Sequence, residues 1–442
     1  MRRLWAFLLT GLALYGVYWF AANRLFDEFD EGSYRKQVAF GSVFVPYGWV
    51  YALGGVLLLA LLLLLYSLAY VALTNRLQEK RRSPWPLFLQ GVTHLFLWVL
   101  ILLVYYPVVQ VVAASFDPTN NLFSFKRPET GFLLLDAKVV PYLPAPSLEN
   151  YAKLVEGVVL YPYQVGLALL AGLALLGVAG IGLLRRLLPQ EAWMDLWQGR
   201  LLLLMALAVF VLALLLSSRQ FTGQGTEAKF LLWVRNTFLV SGLTGLLAVL
   251  LTATAGYAFA RFRHLPGRYP LLLFFIFVQM FPGFLALVAI YYLLSRLDLL
   301  NTFTGLVLAY SGGIISFGTW VYKGYLESIS PSLEEAAMVD GATKWQVFTR
   351  ILLPLSAPMF VFIFLLQFVG TYSEFVLANL VLTGVESWNV GVGLRSFTTG
   401  QFQTKWGVFA AASVLGSLPI LFLFYGFQQY FVSGYTAGAV KE

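Results

Sequence analysis

The sequence contains no cysteine and only two histidines. Without cysteine there is no disulfide, no thiolate metal site and no cysteine nucleophile, though this says little about compartment. His94 and His264 cannot make a histidine-rich metal centre, and each is read as structural or solvated. Charge is scarce too: Asp, Glu, Lys and Arg make up 11% of the residues, against about 25% in a soluble domain. No G-x-x-x-x-G-K-[ST] stretch is present to cradle nucleotide phosphates, and H-E-x-x-H and G-x-S-x-G are also missing. The net charge of +8 would suit a nucleic acid, but the basic residues flank hydrophobic runs and form no continuous patch. No nucleic-acid partner, cofactor, metal or catalytic residue is expected.

What is present is hydrophobic: 60% of the chain is apolar and 17% aromatic, with a mean hydropathy of +0.78. The expected fold is all-α, a polytopic transmembrane helical bundle. A bilayer core takes about 20 apolar residues as helix. By that measure ten spans lie near 4–22, 47–73, 87–114, 162–184, 199–218, 232–260, 269–294, 303–322, 357–381 and 408–431. The first has no small-residue cleavage pattern behind it and is read as an uncleaved span. Basic clusters sit close to span ends: Arg76, Lys80, Arg81 and Arg82; Arg185, Arg186 and Arg200; Arg261, Arg263 and Arg268. The positive-inside rule puts these, and both termini, on the cytoplasmic side, with the loop 115–161 outside. Pro282 should kink the seventh span or unwind a turn, and Gly312-Gly313 is a weaker candidate for a break in the eighth.

The stretch from Ser330 to Pro358 looks built to fold on its own between two spans. Ser332 with Glu335 fits a capping box, and Thr343 with Gln346 fits a second. Gly341 between them supplies the left-handed residue that ends a helix cheaply. Trp345, Phe348, Ile351 or Leu352, and Leu355 recur at helical spacing before Pro358. The expectation is helix, glycine turn, helix. Ala336 and Ala337 have little bulk, so a partner could close on the first helix, and Glu334 or Glu335 could pair with a basic group there; Glu335 could equally cap its own helix.

Glu374 is the one carboxylate well inside a span. Intramembrane charge is expensive and usually faces a cavity or a partner group, so a translocation path or a subunit interface competes with a helix-paired residue near the surface. The segment 382–406 carries Trp388, Asn389, Arg395, Gln401 and Gln403, a set that suits sugar or a membrane surface equally.

Glu335-Ala336-Ala337, Gly341, Ile351 and Leu353-Pro354, at their spacing, match the EAA loop of ABC importer permeases. The chain resembles the carbohydrate branch of that family, maltose/maltodextrin (MalG-like) in type, over roughly residues 86–130 and 230–442. The resemblance implies a six-span core in the bacterial cytoplasmic membrane. It implies ATPase coupling through Glu335, Ala336, Ala337, Asp340 and Gly341, with Glu334, Ile351 and Pro354 in the same loop, 332–354. It implies that the tail around Gly434, Thr436, Ala437 and Gly438, otherwise a frayed terminus, contacts the ATPase pair. It assigns the loop bearing Trp388, Asn389, Arg395 and Gln401 to the cleft of a binding protein, and tips Glu374 towards structure at the subunit interface. The implied partners are a homologous, MalF-like permease subunit, two ATP-binding cassette ATPase subunits and an extracytoplasmic sugar-binding protein, in a lipid membrane. The chain itself is expected to be a transport subunit for malto-oligosaccharide-type sugars and not an enzyme.

On this reading residues 1–85 are an N-terminal extension with two spans, and 86–161 are the first core span with its outer loop. Residues 162–218 are an inserted pair of spans, and 230–442 are the remaining core. Three alternatives stay open. One is a permease for another sugar or polyol. The second is a self-sufficient secondary transporter, which would want paired broken helices in two similar halves. The third is a membrane-embedded glycan or lipid transferase, which would need acids or histidines clustered at one face.

Overall fold

The structure, a computed structural model, describes residues 48–78, 83–118, 146–187, 192–262, 264, 266–399 and 404–439. The first expected span, near 4–22, lies outside the described residues, as do Lys80, Arg81, Arg82 and Arg263. Among the described residues the regular elements are helices, with one isolated bridge between Val158 and Phe221. This is what lipid demands of a chain so poor in charge, because every backbone polar group must be bonded internally.

In chain order the helices are α1 (Gly48–Gln78), α2 (Trp85–Ser115), α3 (Glu149–Val155), α4 (Pro162–Leu187), α5 (Ala192–Leu215), α6 (Phe230–Arg261), α7 (Arg268–Met280), α8 (Gly283–Arg296), α9 (Phe303–Ser328) and α10 (Ser332–Val339). Then come α11 (Lys344–Leu355), α12 (Ala357–Ser373), α13 (Val376–Val381), α14 (Val390–Ser396) and α15 (Trp406–Ala439). Seven described helices are long and apolar enough to cross a membrane, or nine spans with each of two bent pairs counted once.

The chain divides into two compact units. The first holds residues 1–150 and 405–411. In it α1 packs on α2, with Leu63 against Gly91, and Asn150 Nδ2 ties down the end of α2 by donating to the carbonyls of Ser115 (3.1 Å) and Asp117 (2.9 Å).

The second unit, residues 151–404 and 412–442, is built along α6. Three glycines of α6 each receive an aromatic ring from a different helix: Gly242 takes Phe210 of α5, Gly245 takes Phe364 of α12, and Gly256 takes Tyr322 of α9. Small residues in lipid let backbones approach until van der Waals contact holds them, and here the approach leaves no room for a methyl group. A Cβ at Gly256 would stand 2.6 Å from Tyr322 Cδ1.

The pair α4 and α5 packs together, and its two ends are drawn side by side. Val159 N–H donates to the Gln220 carbonyl and Thr222 N–H to the Gly157 carbonyl, both at 2.9 Å. The Gln164 and Gln220 side-chain amides exchange hydrogen bonds at 2.7 and 3.2 Å, and Gln164 also donates to the last carbonyl of α5. Arg235 of α6 donates from Nε to the Ala213 carbonyl, a cation at a helix C-terminus.

Two spans are broken. Proline at 282 does more than kink the seventh: α7 and α8 meet at 103°, with Pro282 extended at the N-cap of α8, where its missing N–H costs nothing. The ninth span, expected to run unbroken through Glu374, instead ends at Ser373 and restarts as α13. Gly312 and Gly313, by contrast, break nothing; α9 runs through them as one helix, since a glycine weakens a helix without obstructing it.

Candidate functional site

The hairpin between α9 and α12 is helix, glycine turn, helix, as its residue pattern predicts. The turn is a complete Schellman motif. Gly341, at φ +87°, sends its N–H to the Met338 carbonyl (3.1 Å), and Ala342 N–H reaches back to Ala337 (3.0 Å). The Thr343–Gln346 capping box forms reciprocally: Gln346 N–H donates to Thr343 Oγ1 at 3.2 Å, and Thr343 N–H donates to Gln346 Oε1 at 2.8 Å.

The Ser332–Glu335 box does not form. Pro331 occupies the N-cap, and Ser332 is already the first helical residue, bonded at its hydroxyl to Ser330. The proline's preset φ starts the helix one residue earlier than a serine cap would. Within the helix, adjacent positions point about 100° apart, and the two acids take different surroundings. Glu334 is buried and accepts from Arg261 Nε at 2.5 Å, while the Arg261 Nη2 donates to the Ile329 carbonyl at 3.2 Å. Of the two acids read as available to a partner, Glu334 is therefore taken within the chain, and Glu335 alone faces outward.

The second helix also departs from its expected form. Between Val347 and Leu352 it widens into a π turn, which relieves the clash that Pro354 would make with the preceding turn of an α-helix. The widening moves the buried stripe to Val347, Phe348 and Leu352, leaving Trp345 68% exposed and Leu355 outside it. Phe348 stacks on Tyr257 of α6 at 4.6 Å, Tyr322 Oη donates to Ser356 Oγ at 3.1 Å, and Tyr325 Oη donates to the Leu355 carbonyl at 3.1 Å. So α11 is bolted to α6 and α9. Ile351 is half-buried and Pro354 exposed.

α10 is bolted down on one side only. Ala337 packs towards the same core, so it is less open to a partner than expected. Leu333, Glu335, Ala336, Met338 and Asp340 are exposed, and Val339 is 88% exposed. With Trp345 they make a largely apolar ridge carrying two acids, Glu335 within it and Asp340 at its end, raised on a base that is fastened to the spans.

Glu374 stands at the far end of α12. Its carboxylate accepts from the phenol of Tyr310 on α9 and from the N–H groups of Leu377 (2.8 Å) and Ala378 (3.2 Å). These bonds fasten the start of α13, so the half-buried acid stands at a helix break with partners in its own chain. Its own carbonyl accepts from Asn389 Nδ2 at 3.0 Å.

The residues read as loop candidates separate in the same way. Asn389 is buried and caps α14, accepting from Val392 N–H at 2.9 Å; Trp388 lies against the Trp233 ring at 5.6 Å. Both hold the loop in place. Arg395 is exposed and donates to Asn379 Oδ1 at 2.7 Å, while Gln401 and Gln403 lie outside the described residues. Gly434, Thr436, Ala437 and Gly438 belong to the last turns of α15, which runs on as helix where a tail was expected.

Four residues that sequence reasoning missed fasten this end. Asn236 Nδ2 donates to the carbonyls of Glu386 (2.7 Å) and Trp388 (3.0 Å), and Trp233 Nε1 donates to that of Val385 (2.8 Å). Asn301 Oδ1 accepts from Thr383 and Gly384, and Tyr310 meets Glu374. The available signal was an amide in an apolar span, Asn236, whose burial needs a partner. Among the described residues no three of His, Asp and Glu converge on a metal site.

Helices long enough to cross a membrane, two broken spans, and a hairpin with an exposed ridge define a polytopic membrane protein. Residues 248–436 match the model of the binding-protein-dependent transport system inner membrane component. The maltose/maltodextrin transport system permease protein MalG of Escherichia coli K12 is 41% identical over 263 residues, covering 58% of this chain and 83% of that protein. That of Salmonella typhimurium LT2 is 43% identical over 238 residues (52% and 79%), and that of Vibrio vulnificus YJ016 is 44% identical over 238 residues (52% and 79%). A solved bacterial ABC transporter involved in the import of the acidic polysaccharide alginate has a chain of similar fold. Its TM-score is 0.54 at 16% identity, covering 80% of this chain and 99% of that one. The chain belongs to the MalG-like family of ABC importer permeases. Members of that family are transport subunits of the inner membrane rather than nucleotide-binding proteins, and they work in heteromeric complexes.

Proposed function

We propose that the chain is the permease half of an importer for malto-oligosaccharide-type sugars, paired with a homologous, MalF-like permease. Two ATPase subunits grip the hairpin from the cytoplasm, and an extracytoplasmic binding protein delivers the sugar. The observation that carries this reading is the asymmetry of the hairpin. α11 is buried against α6 and α9, whereas α10 offers Leu333, Glu335, Met338 and Val339 outward. A partner that closes on the ridge moves the base, and the base moves the spans. On this reading the basic span ends and both termini are cytoplasmic, the last turns of α15 lie beside the ATPase pair, and the segment around Arg395 faces the binding protein. Residues 1–85 and the pair 162–218 are additions to a core formed by 86–161 and 230–442. The names of the relatives favour maltodextrins over other sugars and polyols.

The test is purification in mild detergent followed by reconstitution. ATPase subunits should co-purify in a manner that depends on Glu335 and Gly341, and labelled maltodextrins should enter proteoliposomes only with ATP and binding protein. A chain that purifies alone with full uptake activity overturns the reading. Uptake of another sugar or polyol in a labelled panel would replace the substrate and keep the mechanism.

A further inference from the structure

One uninterrupted helix, α9, touches both the hairpin and the break at Glu374. At its hairpin end Tyr322 and Tyr325 bond to Ser356 and Leu355. Near its other end Tyr310 donates to Glu374, a rise of about 18 Å from Tyr322 at 1.5 Å per residue. The two contacts are thus the two ends of a stiff rod.

Glu374 joins two helices besides closing its own. It precedes the N-cap residue Phe375, and its two oxygens serve separate N–H groups, Oε1 that of Leu377 and Oε2 that of Ala378. What the carboxylate adds is a strong acceptor for a phenol on a different helix. From Glu374 the connection goes on, through its carbonyl, to Asn389 and the start of α14.

We propose that Tyr310 and Glu374 are a positioning pair: a joint through which displacement of α9, imposed at the hairpin, reaches the segment 376–390 beside the other end of that helix. The proposal rests on the reading that a partner ATPase moves the hairpin. The segment is otherwise held to α6 by Asn236 and Trp233 and, just before α9 begins, to Asn301, so the Tyr310–Glu374 contact is its polar side-chain link to the body of α9 itself.

The test uses the complete complex in proteoliposomes and reads sugar imported per ATP hydrolysed, alongside ATP turnover and complex recovery. Tyr310→Phe and Glu374→Gln should each leave ATP turnover and recovery near wild type while sugar per ATP falls by about 5- to 10-fold. The double variant should be no worse than the poorer single. A second readout is independent of transport. The chain has no cysteine, so spin labels at Phe317→Cys on α9 and Val385→Cys in the loop report their distance directly. That distance should hold on adding ATP to the otherwise wild-type complex and shift with Tyr310→Phe. An unchanged import ratio in both single variants overturns the joint, as does parallel loss of recovery, turnover and uptake. If Gly341→Val also leaves uptake and turnover untouched, the hairpin reading falls with it; if Gly341→Val uncouples and Tyr310→Phe does not, the joint alone is wrong.

Discussion

Arg261 closes α6 and donates from Nε to Glu334 Oε1 at 2.5 Å, joining the longest helix of the second unit to the hairpin by one ion pair. Both side chains are largely withdrawn from solvent, with 14% and 10% of their surfaces exposed. Removing one partner leaves the other charge uncompensated, which costs on the order of 3–5 kcal/mol in a buried pair. Glu334→Ala and Arg261→Ala should therefore each lower the melting temperature of the purified permease and reduce ATPase co-purification. The reversed pair, Arg261→Glu with Glu334→Arg, should recover part of both. Glu335→Ala should leave melting unchanged and weaken only the co-purification. Equal melting losses at 334 and 335 would contradict the separation of the two acids.

Gly341 offers a backbone test free of steric complication. Its φ of +87° disfavours any side chain, yet a Cβ built there meets no atom within 4 Å. Gly341→Val should cost about 1–3 kcal/mol through the left-handed backbone alone and uncouple ATP hydrolysis from uptake. Gly341→Asn should be milder, because asparagine tolerates that region. Normal uptake by the valine variant would remove the hairpin from the mechanism.

The glycines of α6 should behave in the opposite way. At Gly256 the backbone is ordinary helix and the neighbour is the problem, since Tyr322 already fills the space. Gly256→Ala should destabilise by about 1–3 kcal/mol. Gly312→Ala, on a helix surface with nothing nearby, should be neutral or slightly stabilising. Thermal unfolding of both variants in one detergent compares them directly.

In the loop that follows α13, Asn389→Ala removes the cap of α14 and should cost about 1 kcal/mol. Sugar preference should not change, because the side chain is spent on Val392 and Glu374. Arg395→Ala should instead lower stimulation of ATP hydrolysis by the binding protein. A changed sugar preference in the Asn389 variant would return that residue to the binding surface.

Deleting residues 434–442 should alter ATPase regulation or assembly more than sugar affinity. Measuring basal and stimulated turnover together with the concentration dependence of uptake distinguishes these; a pure change in affinity would contradict a role beside the ATPase pair.

Composition and spacing alone determined that this chain is a bundle of spans, that a helical hairpin interrupts them, and that Gly341 turns it. These features are local: a run of apolar residues must bond its own backbone in lipid, and a left-handed residue between two helical patterns needs no distant partner. Tertiary structure decided which acid the hairpin keeps and which it shows, because Glu334 and Glu335 are identical until Arg261 is brought up from seventy-odd positions away. It also decided that Glu374 ends a helix and meets Tyr310, and that Asn236 and Trp233 hold a loop some 150 residues further on. A buried polar group must find a partner, and only the folded chain says which one is within reach.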